Sequence, residues 1–367
     1  MPKILETRLE IDLAALDSNY TLLKSYLSPS THFMGVIKAF GYGTDAVLIG
    51  KRLIQLGTQQ LAVAYIEEGV KLRQAGIEVP ILVFYPQLEQ LDSLIEHQLT
   101  PSVYTHHFLE GLCQELKASE RQHIPIHLKI NTGMNRLGFE YNQLDSVLAK
   151  LKSEPKIQVT GVFSHLAASG NRRERAFTKT QITRFKQVIK LFKTQIAYPF
   201  KSHICNSSGI LNFPEAEFDM VRAGIALYGY GNHPAEHEQL KIVASLKTVI
   251  AQLRTIQKGD SVGYERKFIA QKTSTIATLP LGYADGISRI FGNGKAHVLV
   301  NGSKAPIIGN VCMDTLMVDV TGIECKEGGE VEVFGKNHSA LDFDIEQQTI
   351  PYEMITRISQ RVTRVVV

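Results

Sequence analysis

The sequence predicts an α/β protein with an N-terminal (β/α)8 TIM-type barrel and a C-terminal antiparallel β domain. In the first two thirds of the chain, eight short apolar runs alternate with amphipathic helical stretches, which is the pattern of a parallel barrel. After about residue 232 the runs become closely spaced and rich in Val, Ile and Thr, as in an antiparallel sheet. We therefore assign 10–232 to the barrel and 233–367, together with 1–9, to the β domain.

The barrel strands are predicted where an apolar run is followed by a helical period. The stretch Thr44–Leu56 is one such helix, because small and apolar residues recur on one face at a spacing of three to four residues. Those residues are Ala46, Ile49, Gly50 and Leu53. A doubly wound open sheet fits less well, since no G-x-G-x-x-G follows the first run. The predicted strands are His32–Lys38, Leu61–Tyr65, Pro80–Tyr85, Pro101–Tyr104, Ile124–Ile130, Ile157–His165, Ser202–Cys205 and Met220–Tyr228.

The β domain is predicted to follow a connector at Asn232-His233-Pro234. Asn301-Gly302, between two of its strands, is the sequence of a two-residue hairpin turn. A short helix is expected at Tyr352–Ser359. The predicted strands are Ile242–Leu253, Thr273–Leu279, His297–Val300, Ala305–Ile308, Leu316–Val320 and Glu330–Phe334.

The composition is that of an ordinary globular protein and argues against several functional classes. Charged residues make up 21% of the chain, and the net charge of +4 is spread along it, so a nucleic-acid partner is not expected. No apolar stretch approaches the roughly 20 residues that span a bilayer, and the N-terminus lacks the apolar core of a signal peptide. We expect a cytoplasmic protein without a membrane partner.

The potential metal ligands do not predict a metal site. Four scattered cysteines form no C-x-x-C pair and indicate reduced thiols rather than a zinc site or disulfides. We expect His123 and His127 at the surface, and Asp314 and Asp319 in an alternating strand, rather than as metal ligands. The cysteines are Cys113, Cys205, Cys312 and Cys325.

Candidate catalytic residues follow from the barrel itself, because active sites of such barrels lie at the C-terminal ends of the strands. The residues at these positions are cationic, nucleophilic or suited to binding phosphate. Paired carboxylates are missing there, which is a poor fit to a glycosidase. The candidates are Lys38, Arg136, His165, Asn206, Ser207 and Arg222.

Several segments, taken in order, resemble the alanine racemases, which are fold-type III pyridoxal-phosphate (PLP) enzymes. Besides VIKAFGYG at Val36–Gly43, they include KINTGMNRLGF, GVFSHL, HICNSS, DMVRAGIALYG, GYADG and GNVCMDTLMVDV. The resemblance implies an isomerase that carries PLP covalently on Lys38 and interconverts L- and D-alanine, which supplies D-alanine for peptidoglycan. It also implies that Tyr264 is the second catalytic base.

The resemblance assigns further residues to the cofactor and the substrate. Arg136 would contact the phenolic oxygen of PLP and the substrate carboxylate, His165 would lie beside the ring, and Arg222 would face the ring nitrogen. Lys129 matches a lysine that is carbamylated in many members. The residues that match the phosphate-binding positions are Tyr42, Ser207, Gly224, Ile225 and Tyr352, and Asn206 is a further cofactor-binding candidate.

The resemblance also implies a homodimer with composite active sites. Tyr264 and Met313 would reach the cofactor of the partner subunit, with Met313 at the substrate site and Tyr283 near its entrance. Several positions depart from the common family pattern, among them Thr44-Asp45 in place of His-Gly and Ala223 in place of Pro. Phe40 replaces a small polar residue, Asn131 replaces Asp, and Glu265 replaces Gly.

The residue types suit racemisation. A lysine amine forms imines, and PLP delocalises the charge of a carbanion. Because the proton leaves one face of a planar carbon and returns on the other, two opposed groups, Lys38 and Tyr264, perform this most directly. A phenol has a pKa of about 10, so Tyr264 needs nearby positive charge to act as a base. Arg222 stays protonated and would keep the ring nitrogen neutral, which disfavours side reactions of the carbanion.

Two other interpretations stay open at this point. One is a different fold-type III PLP enzyme, such as a broad-specificity amino-acid racemase or a decarboxylase. A decarboxylase needs only one proton delivery, so Tyr264 argues against it. The other is a non-enzymatic barrel that binds PLP or amino acids as a sensor, which would not need Lys38, Arg136 and Tyr264 together.

Overall fold

The structure is a computed structural model that describes residues 6–118, 123–343 and 349–367. They form two compact units. The barrel unit comprises Asp17–Gly41 and Ala46–Leu240, and the β unit comprises the segment ending at Leu16, Tyr42–Asp45 and Lys241–Val367. Residues 1–5 of the segment 1–9 that was assigned to the β domain lie outside the described residues.

Eight parallel strands close into a barrel in chain order, which confirms the predicted fold class. Every residue of the third to fifth strands of the chain is buried, as expected for a parallel sheet covered on both faces. After β1 (Arg8–Ile11), which lies in the β unit, the barrel strands are β2 (His32–Val36), β3 (Gln60–Val63), β4 (Ile81–Val83), β5 (Thr100–Val103), β6 (Ile124–Lys129), β7 (Ile157–Phe163), β8 (Lys201–His203) and β9 (Met220–Ala223).

Helices alternate with the barrel strands, as the sequence predicts. Ile49, Gly50 and Leu53 form the buried face of one of them, and a Cβ on Gly50 would lie 3.1 Å from Ile37 and Ile77, so the glycine allows this helix to pack closely. The helices up to Leu240 are α1 (Leu13–Ser25), α2 (Lys38–Tyr42), α3 (Ala46–Gln55), α4 (Ile66–Gln74), α5 (Leu91–Glu96), α6 (His106–Ala118), α7 (Leu144–Ser153), α8 (Arg175–Gln195), α9 (Ser207–Asn212) and α10 (Pro234–His237).

The β unit is built from β1 and the strands that follow Leu240. Within the described residues its large sheet is mostly antiparallel, and β1 adds one parallel pair with the last strand of the chain. The remaining elements are β10 (Ala244–Val249), β11 (Gln252–Ile256), β12 (Ser261–Val262), β13 (Phe268–Ile269), β14 (Ser274–Leu279), β15 (His297–Val300), β16 (Ser303–Ile308), β17 (Leu316–Asp319), β18 (Glu330–Phe334), α11 (Pro351–Thr356) and β19 (Thr363–Val366).

The predicted hairpin is present, but one predicted strand is wrong. Asn301 and Gly302 join β15 to β16 with positive φ angles of 46° and 76°, as a type I′ turn requires. The single strand expected at Ile242–Leu253 is two strands, β10 and β11. The backbone changes partners between them, because Ile250 donates to Gly329 and Ala251 donates to Thr278.

Two of the three phenylalanines of α8 test how far the barrel depends on its helical layer. Phe185 is fully buried, whereas Phe177 is 36% exposed. Phe185→Ala should lower the free energy of unfolding by about 3–5 kcal/mol, because it leaves a cavity in the core. Phe177→Ala should cost much less, and urea unfolding of both variants measures the difference. A loss for Phe185→Ala no larger than that for Phe177→Ala would contradict the burial of Phe185 in the core.

Candidate active site

Lys38 lies just beyond the end of β2 and begins an unusual backbone segment. The strand ends at Val36, two residues earlier than predicted. Ala39, Phe40 and Gly41 then have left-handed φ and ψ angles, and Tyr42 has a φ of 53°. Left-handed backbone costs roughly 1–2 kcal/mol for each residue other than glycine, so this left-handed turn needs contacts that hold it in place.

Glu68, on α4, supplies such a contact and was not among the predicted site residues. Its carboxylate accepts a hydrogen bond from the backbone N–H of Ala39 at 2.6 Å. The same carboxylate accepts from the N–H groups of Ala64 and Tyr65, at the start of α4. The only sequence signal for this residue is an acidic side chain in the first turn of the helix that follows the second barrel strand, and this is common in helices of any function.

Arg222, on β9, is buried at the centre of a hydrogen-bond network inside the barrel. Its Nη1 donates to His203 Nδ1 at 2.6 Å, and its Nη2 donates to the Ser164 carbonyl at 2.7 Å and to His165 Nδ1 at 3.1 Å. Since His203 accepts at Nδ1, its Nε2 carries the proton and donates to His127 Nδ1, 3.0 Å away.

The position of His127 corrects an expectation. It was predicted at the surface, but it lies on β6 with 2% exposure because its side chain points into the barrel. Its imidazole contacts that of His203 at the end of β8 and packs next to Phe163. The Phe163 ring stacks on His203 with centroids 4.9 Å apart. The network therefore includes two histidines, His127 and His203, that sequence analysis did not identify as functional.

Burial sets the protonation of this network. Burial and the Arg222 charge lower the pKa of His127 to about 3 and hold the pKa values of His165 and His203 well below the usual range. Burial lowers the pKa of Arg222 only to about 10, so its guanidinium stays charged at neutral pH. The imidazoles are neutral acceptors around one fixed cation.

Two lysines near this network are pushed toward their neutral forms. Burial, followed by the charges of Arg222 and Arg136, holds the pKa of Lys129 well below its usual value. Its ammonium nitrogen lies 4.5 Å from the centre of the Phe163 ring. Burial and Arg136 also lower the pKa of Lys38, while Glu68 opposes them. A buried amine in its neutral form is a nucleophile.

The predicted phosphate-binding residues of the barrel unit are brought together at the ends of β8 and β9. Ser207 is the first residue of α9, and its hydroxyl accepts a hydrogen bond from the Gly224 N–H at 3.0 Å. Gly224 in turn precedes a 3₁₀ helix that begins at Ile225. Asn206 caps α9 by accepting from the Gly209 N–H and also accepts from Ser169, so it shapes this loop.

Asn131, which departs from the family pattern, organises the loop that carries Arg136. Its side-chain oxygen accepts from the N–H groups of Gly133 and Asn135, and its nitrogen donates to Glu140 at 2.6 Å. Arg136 itself is exposed. The loop is closed at its base by Phe139, whose N–H donates to the Lys129 carbonyl.

The remaining predicted site residues lie in the β unit. Tyr42 is buried, its ring centre lies 6.2 Å from that of Tyr352, and burial raises its pKa. Tyr264 and Met313 are 71% and 54% exposed. Tyr264 lines an open cavity of about 350 Å³ together with Val262, Gly263, Cys312 and Met317.

Two backbone features shape the segments that carry Tyr264 and Met313. Glu265, where the family commonly has glycine, keeps a left-handed φ of 59°. Gly282 allows a close approach, because a Cβ there would lie 2.3 Å from the Met313 carbonyl oxygen. Asp314 pairs with Arg361 at 2.7 Å, and Asp319 accepts from Thr321, so both carboxylates have structural partners.

The donor set at the barrel end fits a phosphate-bearing aldehyde such as PLP. Lys38 supplies an amine that is driven toward its nucleophilic form, and Ser207 with the Gly224–Ile225 backbone supplies polar groups for an anion. Within the described part of the chain, Arg222 Nε makes no hydrogen bond, although both Nη atoms do, so one donor remains for a ligand.

In the described ranges there is also no group of His, Cys, Asp and Glu side chains that could hold a metal ion, and no helix among them could cross a membrane.

Comparisons with known proteins agree with this arrangement. The family model of the alanine racemase N-terminal domain matches residues 11–232, and that of the C-terminal domain matches residues 243–366. The chain is 39% identical over 364 residues to the alanine racemase of Halothermothrix orenii, covering 97% of this chain and 95% of that protein. It is 38% identical over 371 residues to the alanine racemase of Clostridium novyi, covering 97% and 94%.

Solved structures give the same result. The structure of alanine racemase from Bacillus anthracis with bound L-Ala-P matches with a TM-score of 0.93 at 30% identity, covering all of this chain and 96% of that one. The structure of alanine racemase from Bartonella henselae with covalently bound pyridoxal phosphate matches with a TM-score of 0.87 at 30% identity, covering 99% of each chain.

The neutral state of His127 predicts a pH dependence of stability. Its folded-state pKa of about 3 lies below the unfolded value of about 6.5, so the unfolded chain binds a proton that the folded chain does not. Stability is therefore lost as the pH falls below about 6.5, by about 2 kcal/mol between pH 7.5 and 5 from this residue alone. Urea unfolding should show a smaller pH-dependent loss for His127→Phe than for the parent protein. The exposed His107 gives the control, His107→Phe, and identical pH dependence in all three proteins would contradict a buried neutral His127.

Proposed function

The chain belongs to the alanine racemase family and is therefore an amino-acid isomerase, and we propose that it interconverts L- and D-alanine with pyridoxal 5′-phosphate bound covalently to Lys38. The matches confirm the family that the sequence motifs predicted. The observation that carries the proposal is the buried Arg222 network at the barrel end. It surrounds a permanent cation with neutral imidazoles, next to an amine that burial and Arg136 push toward its nucleophilic form.

The residues that would hold the cofactor lie on several strand ends. Lys38 would form the covalent link, His165 would pack beside the ring, and Arg222 would donate to the ring nitrogen without giving up its proton. Arg136 would bind the phenolic oxygen and the substrate carboxylate. From the barrel unit, the phosphate would lie against Ser207, Gly224 and Ile225, with the Ser207 hydroxyl as a donor. The resemblance also assigns Tyr42 and Tyr352 to the phosphate and Asn206 to the cofactor.

The reaction requires proton transfer on both faces of the substrate α-carbon. When bound, PLP supplies delocalisation of the electron pair that the departing proton leaves behind. We propose that Lys38 and Tyr264 lie on opposite faces of the α-carbon. In one direction the Lys38 amine takes the proton from its face while the protonated Tyr264 hydroxyl delivers a proton to the other face, and in the reverse direction the Tyr264 oxygen is the base and the Lys38 ammonium is the acid.

We propose that the active site is completed by a second copy of the chain. Tyr264 and Met313 would serve the partner's cofactor, so the β domain (233–367 with 1–9) of one subunit would act on the barrel (10–232) of the other. The support is their exposure in the single chain, 71% for Tyr264 and 54% for Met313. Tyr264 also lines an open cavity with Cys312, the residue before Met313, and exposed apolar patches are typical of interaction surfaces.

Lys129 is proposed to carry a carbamate. Formation of a carbamate requires a neutral amine, and the low pKa of Lys129 favours that form. The modification would replace the ammonium with a negative charge, which both Arg136 and Arg222 would favour. It would thereby orient Arg136.

We further propose that the enzyme works in the cytoplasm, where its described free cysteines would stay reduced, and supplies D-alanine for peptidoglycan.

Replacing Lys38 tests the proposed function. Lys38→Ala should remove both the visible absorbance of the protein-bound cofactor and the formation of D-alanine from L-alanine, followed by chiral chromatography. The exposed Lys51 provides the control Lys51→Ala, which should keep both. Borohydride reduction of the parent protein and peptide mapping should place the label on Lys38. Full turnover in Lys38→Ala would refute the mechanism, and release of CO₂ without D-alanine would indicate a decarboxylase.

Replacing Tyr264 separates cofactor binding from racemisation. Tyr264→Phe should keep the visible absorbance but lose about 10²- to 10⁴-fold in turnover, the usual contribution of a positioned acid–base group. Tyr141→Phe, at another exposed tyrosine that is 59% accessible, should have parent-like turnover in both directions. Unchanged turnover in Tyr264→Phe would show that a second base is not needed or lies elsewhere.

A further inference from the structure

Helix α4 holds the left-handed turn that follows Lys38. The turn contains three residues other than glycine with positive φ, namely Ala39, Phe40 and Tyr42, and such conformations persist only where surrounding contacts favour them. Two side chains of α4 reach it. Glu68 binds the Ala39 N–H, and the Lys71 ammonium lies 5.5 Å from the centre of the Phe40 ring, which is a cation–π contact.

Glu68 uses both of its carboxylate oxygens. Oε1 accepts from the Ala39 N–H at 2.6 Å, and Oε2 accepts from the N–H groups of Ala64 and Tyr65 at 2.7 and 3.1 Å. The carboxylate therefore ties the backbone after Lys38 to the end of β3. An amide could not reproduce this pattern, because its NH₂ group would face one of the backbone donors.

Glu68 also acts on the charge of Lys38. Among the described residues, the charged or titratable groups that interact electrostatically with this amine are Arg136, His165 and Glu68. Burial and the Arg136 cation lower the pKa of Lys38, His165 is neutral, and Glu68 raises the pKa of Lys38. An amine that accepts a proton has to hold it as an ammonium ion, and the Glu68 carboxylate stabilises that form in a region that is otherwise cationic.

We propose that Glu68 is a positioning residue for Lys38, fixing the left-handed turn that orients the amine and supplying the negative charge beside it. Its importance for proton transfer rests on the proposed function. The positioning itself does not, since it concerns the free amine and its backbone.

The test uses the full-length protein with cofactor removed and reads out Lys38 directly. Trace labelling with acetic anhydride across pH, quantified by mass spectrometry of the Lys38 peptide against the Lys51 peptide, gives the labelling midpoint of Lys38. Glu68→Gln should lower that midpoint by about one pH unit, the smaller end of the effect of a neighbouring charge. Hydrogen exchange of the Ala39 amide should become about tenfold faster, because its charged acceptor is lost.

Two further variants separate charge, reach and general disruption. Glu67→Gln removes the same charge from the exposed neighbouring residue and should leave both readouts unchanged. Glu68→Asp keeps the charge but shortens the side chain, so the midpoint should stay near the parent value while Ala39 exchange becomes faster. If circular dichroism shows that Glu68→Gln is unfolded, Glu68→Asp decides the matter by Ala39 exchange alone.

Parent-like behaviour of Glu68→Gln in both readouts, or of Glu68→Asp in Ala39 exchange, would overturn the proposal. Changes equal to those of Glu67→Gln would do the same. Neither readout depends on turnover. A protein in which Glu68 controls Lys38 but which does not racemise alanine would uphold this inference and refute the proposed function, and the opposite pattern would do the reverse.

Discussion

The arrangement of the barrel end depends on one buried charge, the guanidinium of Arg222. Burying a cation without compensation is costly, and here its partners are neutral groups. Two imidazole nitrogens and the carbonyl oxygens of Ser164, His203 and Ile204 accept its hydrogen bonds. These acceptors come from the ends of β7 and β8, so the charge can be held only when these strands lie beside β9.

This choice of partners has chemical consequences for the surrounding residues. Because Arg222 keeps its proton, His127 and His203 have to stay neutral. Arg222 donates to His203, and His203 in turn donates to His127, so the direction of both hydrogen bonds is fixed. The same cation, together with Arg136, disfavours a second positive charge on Lys129. A carboxylate at the centre would have paired with Arg222, and the Arg222 charge would no longer lower the pKa of Lys129. Neutral acceptors instead leave a positive field, which suits an anionic ligand and nucleophilic amines.

The sequence predicted those features that depend on local pattern. Alternation of strands and helices is visible in one dimension, so the eight barrel strands and the strand-end positions of His165 and Ser207 could be predicted. The Asn301-Gly302 turn has its own chemistry. The break between β10 and β11 could not be predicted, because Ile242–Leu253 is continuously favourable for a strand and only the change of partners ends it. His127, His203 and Glu68 were missed because their partners are distant in sequence and meet them only in the folded chain.

The left-handed turn after Lys38 shows why local propensity was misleading at the site. Ala39, Phe40 and Tyr42 all disfavour positive φ, and the sequence alone predicted a strand that continues to Lys38. The structure ends β2 at Val36 and compensates the turn with contacts from α4. Strained backbone that is held by surrounding contacts concentrates at functional sites, and this disagreement between sequence and structure falls beside the residue proposed to carry the cofactor. The backbone at Lys38 is therefore held less by strand β2, which ends at Val36, than by the Glu68 carboxylate, which binds the N–H of the next residue, Ala39.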